Sequence, residues 1–109
     1  MVKDDKTRKV ILSIVEKIKQ GYQPEKIILY GSFAYGSPDK DSDIDLLIIK
    51  DTDERPIDRR IKVRGIVDIR QPIAFSPFVM TPREVKYSLD IGDQFFKEII
   101  SRGEVLYAR

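Results

Sequence analysis

Residues 26–49 read KIILYGSFAYGSPDKDSDIDLLII, and this stretch decides the fold. Lys26–Tyr30 has the pattern of an apolar strand, Gly31-Ser32 follows it as a turn, and Asp43-Ile44-Asp45 opens a second apolar run that continues to Ile49. Strand side chains alternate faces with a period of two, so Asp43 and Asp45 project from one side and Ile44 from the other. Two carboxylates on one face want a cation. A divalent metal with oxygen ligands is the natural partner, because an unshielded like-charge pair would raise one pKa or destabilise the strand. Between the two strands, Phe33 to Tyr35 has room for a short helical turn before Gly36. The run Ser37–Ser42 is strongly turn-forming and returns the chain for the second strand.

Working outward, Val10, Ile11, Ile14, Val15 and Ile18 fall at helical spacing, with Asp4 and Asp5 near the start and Lys17, Lys19 and Gly21 near the end. This predicts one amphipathic helix of about four turns, separated from the first strand by Pro24. Leu46–Ile49 is continuously apolar and suits a strand covered on both faces; Lys50–Arg55 then breaks it. Ile57, Ile61, Ile66 and Ile69 make a weaker helical pattern with Gly65 in its interior. Ile73–Met80 reads as a third strand, which Pro77 places at a sheet edge. Thr81-Pro82-Arg83-Glu84 is a helix start, with Thr81 as N-cap, Pro82 at the first helical position and Glu84 three residues after the cap. A last helix is expected over Asp93–Ser101, closed by Gly103, with Val105–Tyr107 as a short final segment. The basic run Arg55, Arg59, Arg60, Lys62, Arg64 and Arg70 reads as a solvated helix face. Phe75, Phe78, Phe95 and Phe96 read as core or interface, and Tyr30, Phe33 and Tyr35 as packing or base-stacking residues beside the turn.

The 109 residues fit one domain, 1–109, and the 41% hydrophobic and 35% charged composition is that of a folded chain. A net charge of +2 gives no case for general nucleic-acid binding. The chain contains no Cys and no His, which removes disulfides, the usual zinc sites, Ser-His and Cys-His nucleophile pairs and a histidine base. Any catalysis must therefore rest on carboxylates and metal. No apolar run approaches the ~20 residues that span a bilayer, and Met1–Asp5 lacks the apolar core of a signal peptide. A soluble cytoplasmic protein is expected.

Strand, Gly-Ser turn, short loop, Ser-Asp-X-Asp and apolar strand in this order are far more specific than any one of them. Gly31-Ser32, Gly36 and Ser42-Asp43-Ile44-Asp45-Leu46 resemble the G-S-x-x-x-G and S-D-x-D-L signature of the DNA polymerase β-like nucleotidyltransferase superfamily. The length and the single helix before the first strand resemble its minimal nucleotidyltransferase branch. The resemblance implies an α/β (α+β) fold, a small mixed β-sheet flanked by helices. It implies Mg2+ as cofactor, held by Asp43 and Asp45 as the catalytic residues, and a nucleoside triphosphate, usually ATP, held at Gly31, Ser32 and Ser42. The residues alone make Ser42 a turn or strand-start hydrogen bonder. Many members of that branch are paired with a HEPN-type toxin, a helical RNase, and act as its antitoxin by transferring AMP to it. Such a partner is therefore implied, self-association stays open, and neither membrane nor direct nucleic-acid binding is expected.

One departure stands out. The family usually supplies a third metal-binding carboxylate from the next strand. Counting back from Thr81-Pro82 puts that position near Ser76, in a strand without Asp or Glu, and Asp68 is the nearest upstream carboxylate. A nucleotide-binding module that neutralises its partner by binding, without turnover, is the alternative this departure favours.

Overall fold

A computed structural model describes residues 3–67 and 73–109. The first helix, α1, covers Asp5–Tyr22, starting where the Asp4 carboxylate accepts from the Thr7 backbone N–H and buries Ile11, Ile14, Val15, Ile18 and Tyr22. Strand β1, Lys26–Tyr30, is followed by the single helical turn α2, Ser32–Tyr35, and by strand β2, Ile44–Ile49. Helix α3 is Pro56–Ile66, strand β3 Phe75–Met80, helix α4 Pro82–Asp90, helix α5 Gln94–Arg102 and strand β4 Glu104–Ala108.

The strands form one mixed sheet in the order β3-β2-β1-β4. β1 runs antiparallel to both β2 and β4, while β2 and β3 are parallel. The run after Asp45 is apolar on both faces because both faces are covered. Ile44, Leu46 and Ile48 pack with α1 and with Val63 of α3, whereas Leu47 and Ile49 pack with Ile28 and with Phe96 and Ile99 of α5. Pro77 lies in the edge strand β3, where a missing N–H donor is tolerated. The Thr81 capping box forms in full, with its hydroxyl accepting from the Glu84 N–H and the Glu84 carboxylate accepting from the Thr81 N–H.

Several expectations change. The third strand begins at Phe75 and not at Ile73, and the short final segment is a full strand beside β1. Helix α3 stops at Ile66, and Asp68, Ile69 and Arg70 lie outside the described residues. Arg59 is not on a solvated face. Its side chain is buried, donating to Glu54 O at 2.8 Å and pairing with the Glu84 carboxylate at 2.7 Å. A buried guanidinium needs such partners, and the N-terminal turn of α4 supplies one. Among the described residues no helix is long and apolar enough to cross a membrane.

Candidate active site

Because β1 and β2 are antiparallel, the end of one lies beside the beginning of the other, and Tyr30 pairs with Asp45. Because β2 and β3 are parallel, β3 starts at the same end, and Asp45 pairs with Ser76. Tyr30, Asp45 and Ser76 thus form one row across three strands, on the face that carries Ile28, Leu47 and Ile49 further in. The chain turns out of β1 at this row.

Gly31 makes that turn with φ 78° and ψ −163°, a conformation essentially restricted to glycine. Its lack of a side chain matters for a second reason: a Cβ built there would fall against the Asp45 Oδ2. The Gly-Ser turn and the Asp45 carboxylate are therefore in direct contact, which sequence spacing alone did not reveal. Gly31 O then accepts from Ala34 and Tyr35 N–H at 3.0 Å each, and Ser32 O from Gly36 and Ser37 N–H at 3.1 Å each. Gly36, at φ 83°, ends the turn in the left-handed region.

The pKa of Asp45 is raised, first by burial and then by the charge of Asp43. Burial disfavours the charged form, and the neighbouring like charge adds to it. The same burial, with the Asp45 charge added, pushes the Tyr30 phenol up to about 12. Its ring is fixed edge-on against Phe95 of α5, with centroids 5.9 Å apart. Ser42 is turned back on its own loop: its hydroxyl accepts from the Asp39 N–H at 2.8 Å, while the Asp39 carboxylate accepts from the Asp41 N–H. These bonds hold the loop that delivers Asp43.

A cleft of about 540 Å³ opens beside Asp43. Its walls include Asp4 at the start of α1, Asp39 and Asp41 of the loop, and the apolar Phe33 and Ile73. Asp4 is a contribution the sequence could not announce, since only packing brings the start of α1 to this loop. Among the described residues no cluster of three or more Asp, Glu, His or Cys side chains could hold a metal. The pair Asp43 and Asp45 nonetheless fits magnesium, which commonly takes one or two carboxylates and completes its shell with phosphate oxygens and water. Ser76 in β3 adds a hydroxyl at most, and Asp68 lies outside the described residues.

Known proteins bear on this geometry. Residues 13–109 match the family model described as polymerase beta, nucleotidyltransferase. Two proteins of Methanocaldococcus jannaschii, both named as candidate protein adenylyltransferases, are similar. One is 34% identical over 97% of this chain and 76% of its own length, the other 31% identical over 91% and 96%. A crystal structure of a candidate nucleotidyltransferase from Sulfolobus solfataricus superposes with a TM-score of 0.64 at 20% identity, covering 93% of this chain and 79% of that one, and so shares its fold. With a Gly-Ser turn packed on Asp45 of β2, Asp43 just ahead of that strand, and a family match over most of its length, this chain belongs to the polymerase β-type nucleotidyltransferase family.

Proposed function

We propose that this protein transfers AMP from ATP to a hydroxyl of a protein acceptor, with Mg2+ held at Asp43 and Asp45. The observation that supports the reading most is the contact between Gly31 and the Asp45 carboxylate, which sets the turn proposed for the triphosphate against one of the two proposed metal ligands. Gly31 and Ser32 would let the phosphates approach the backbone closely, without a Cβ in the way. Asp43 and Asp45 would orient the metal on the phosphate oxygens, and Ser42 would keep the Asp43 loop closed. Magnesium, when bound, supplies charge neutralisation at the phosphates. The acceptor oxygen forms its bond to the α-phosphorus as the bond to pyrophosphate breaks, and the hydroxyl proton is released to solvent.

A protein acceptor is supported on two grounds besides the names of the relatives. The cleft walls carry Asp4, Asp39, Asp41 and Asp43 against Lys40, which disfavours a phosphate-rich acceptor. Tyr87, Ile91 and Phe95 are more than half exposed on or between α4 and α5, where a helical polypeptide such as a HEPN-type toxin could rest. The second reading is a nucleotide-dependent binding module without turnover, favoured by the pairing of Asp45 with Ser76, a residue without a carboxylate, on the neighbouring strand.

Incubation with α-labelled ATP, Mg2+ and a co-purified partner should label the partner, and Asp43→Asn or Asp45→Asn should abolish labelling while the fold survives. Unchanged labelling by the double variant sinks the assignment. Calorimetric binding of Mg-ATP with no label transferred to any partner establishes the second reading instead.

A further inference from the structure

Arg102 is the last residue of α5, far along the chain from the Gly-Ser turn, yet its guanidinium carbon stands 4.0 Å from the centroid of the Tyr35 ring. Tyr35 ends α2, whose first residue is Ser32, and residues three apart on a helical turn share a face. The guanidinium is tethered from a second side, where its Nη1 donates to Glu98 Oε1 at 2.9 Å, one helical turn earlier. Helix α5 also reaches the other flank of the turn through the contact between Phe95 and Tyr30. Tyr30, before the turn, and Tyr35, at the end of α2, are thus both in contact with α5, while Phe33, directly after Ser32, is buried in the core.

The site has an electrostatic problem that this arrangement addresses. Its own charges at Asp43 and Asp45 are negative, and a nucleoside triphosphate adds a strongly negative tail. Arg102 is a permanent cation that its contact with Tyr35 holds beside α2, the helical turn that begins at Ser32. Its side chain remains 57% exposed, so the bond to Glu98 leaves donors of the guanidinium fork facing outward. That fork matches pairs of phosphate oxygens. We propose that Arg102, held on Tyr35, contacts the β- or γ-phosphate of the bound nucleotide and thereby positions the leaving group. The proposal rests on the nucleotidyl-transfer reading. The competing account is that Arg102 only fastens α5 to α2.

Calorimetry with Mg2+ and ATP, ADP or AMP separates the two, supported by thermal melts of each variant. Arg102→Gln should weaken ATP about tenfold and AMP less than about twofold, the size expected for loss of one charge-assisted contact to the tail. Arg102→Lys keeps the charge without the planar stack and should fall between. Glu98→Gln, which releases the guanidinium from its tether, should tighten ATP. Equal weakening of ATP, ADP and AMP by Arg102→Gln, or ATP affinity unchanged in all three variants, overturns the phosphate contact and leaves a fastening role. Failure of the wild type to bind Mg-ATP overturns the nucleotidyl-transfer reading itself.

Discussion

At Gly31 two requirements meet on one atom that is not there. The backbone conformation excludes other residues at a cost of about 1–3 kcal/mol, and a Cβ would press on the Asp45 carboxylate. Gly31→Ala should therefore lower stability by about that amount in urea titrations and also displace Asp45, so that Mg-ATP binding falls further than the loss of stability explains. Asp45 shows the opposite tension. Burial and Asp43 disfavour its charged form, so Asp45→Asn should raise the melting temperature of the metal-free protein at pH 7 while removing label transfer. Added Mg2+ should raise the melting temperature of the wild type and not that of the variant. A melting temperature lowered by Asp45→Asn would show that the carboxylate is satisfied by the fold. The Asp-X-Asp spacing and the Gly-Ser pair were legible in the sequence because each is local, whereas their mutual contact joins two strands and was not.

Among elements, the junction of α3 with α4 depends on Arg59. Its guanidinium bonds Glu54 O and the Glu84 carboxylate, and Glu84 at the same time closes the capping box of α4. Replacement by methionine removes the cation from Glu84, which keeps only the Thr81 N–H, and takes a donor from Glu54 O. Because the Glu84 side chain is 39% exposed, the expected cost is about 2–3 kcal/mol, less than for a fully buried pair. The pH dependence has a definite sign. Burial alone would raise the Glu84 pKa, but the Thr81 N–H and Arg59 outweigh it and hold the group below its ordinary 4.5. A depressed carboxylate contributes stability above its unfolded pKa and loses it as pH falls through the folded one. The stability gap between wild type and Glu84→Gln should therefore be full above pH 4.5 and shrink as pH falls below it, as followed by urea denaturation. A gap that stays constant from pH 7 to strongly acidic conditions would show that the ion pair contributes nothing. The capping box was readable from Thr81-Pro82-Arg83-Glu84, since its four residues are contiguous. The burial of Arg59 was not, because a lone basic residue in a basic run looks solvated until another helix covers it.

For the whole molecule, the distribution of charge matters more than the net +2. Acidic residues from the start of α1 and from the loop before β2 converge on the cleft beside Asp43. Acceptor peptides with Lys or Arg flanking the hydroxyl should be labelled faster than peptides with flanking Asp or Glu. The preference should fade as salt approaches 1 M, where the screening length is about 3 Å. Equal rates at low salt would remove the cleft from acceptor selection. The sheet edges are also managed at this scale, with Pro77 in β3 and an irregular register between Ile27 and Ile28 where β4 joins β1.

By itself the sequence determined what is carried by neighbouring residues: the α1 pattern, the two apolar strands, the Gly-Ser turn, the carboxylate pair and the helix cap. Counting back from Thr81-Pro82 also pointed to Ser76, which the parallel register pairs with Asp45. Only the tertiary structure decided that β4 closes the sheet, that Arg59 is buried, that Asp4 reaches the cleft and that Arg102 stands on Tyr35. The physical reason is that periodicity and turn chemistry act over a few residues, while contacts between distant segments exist only once both faces of the sheet have been covered.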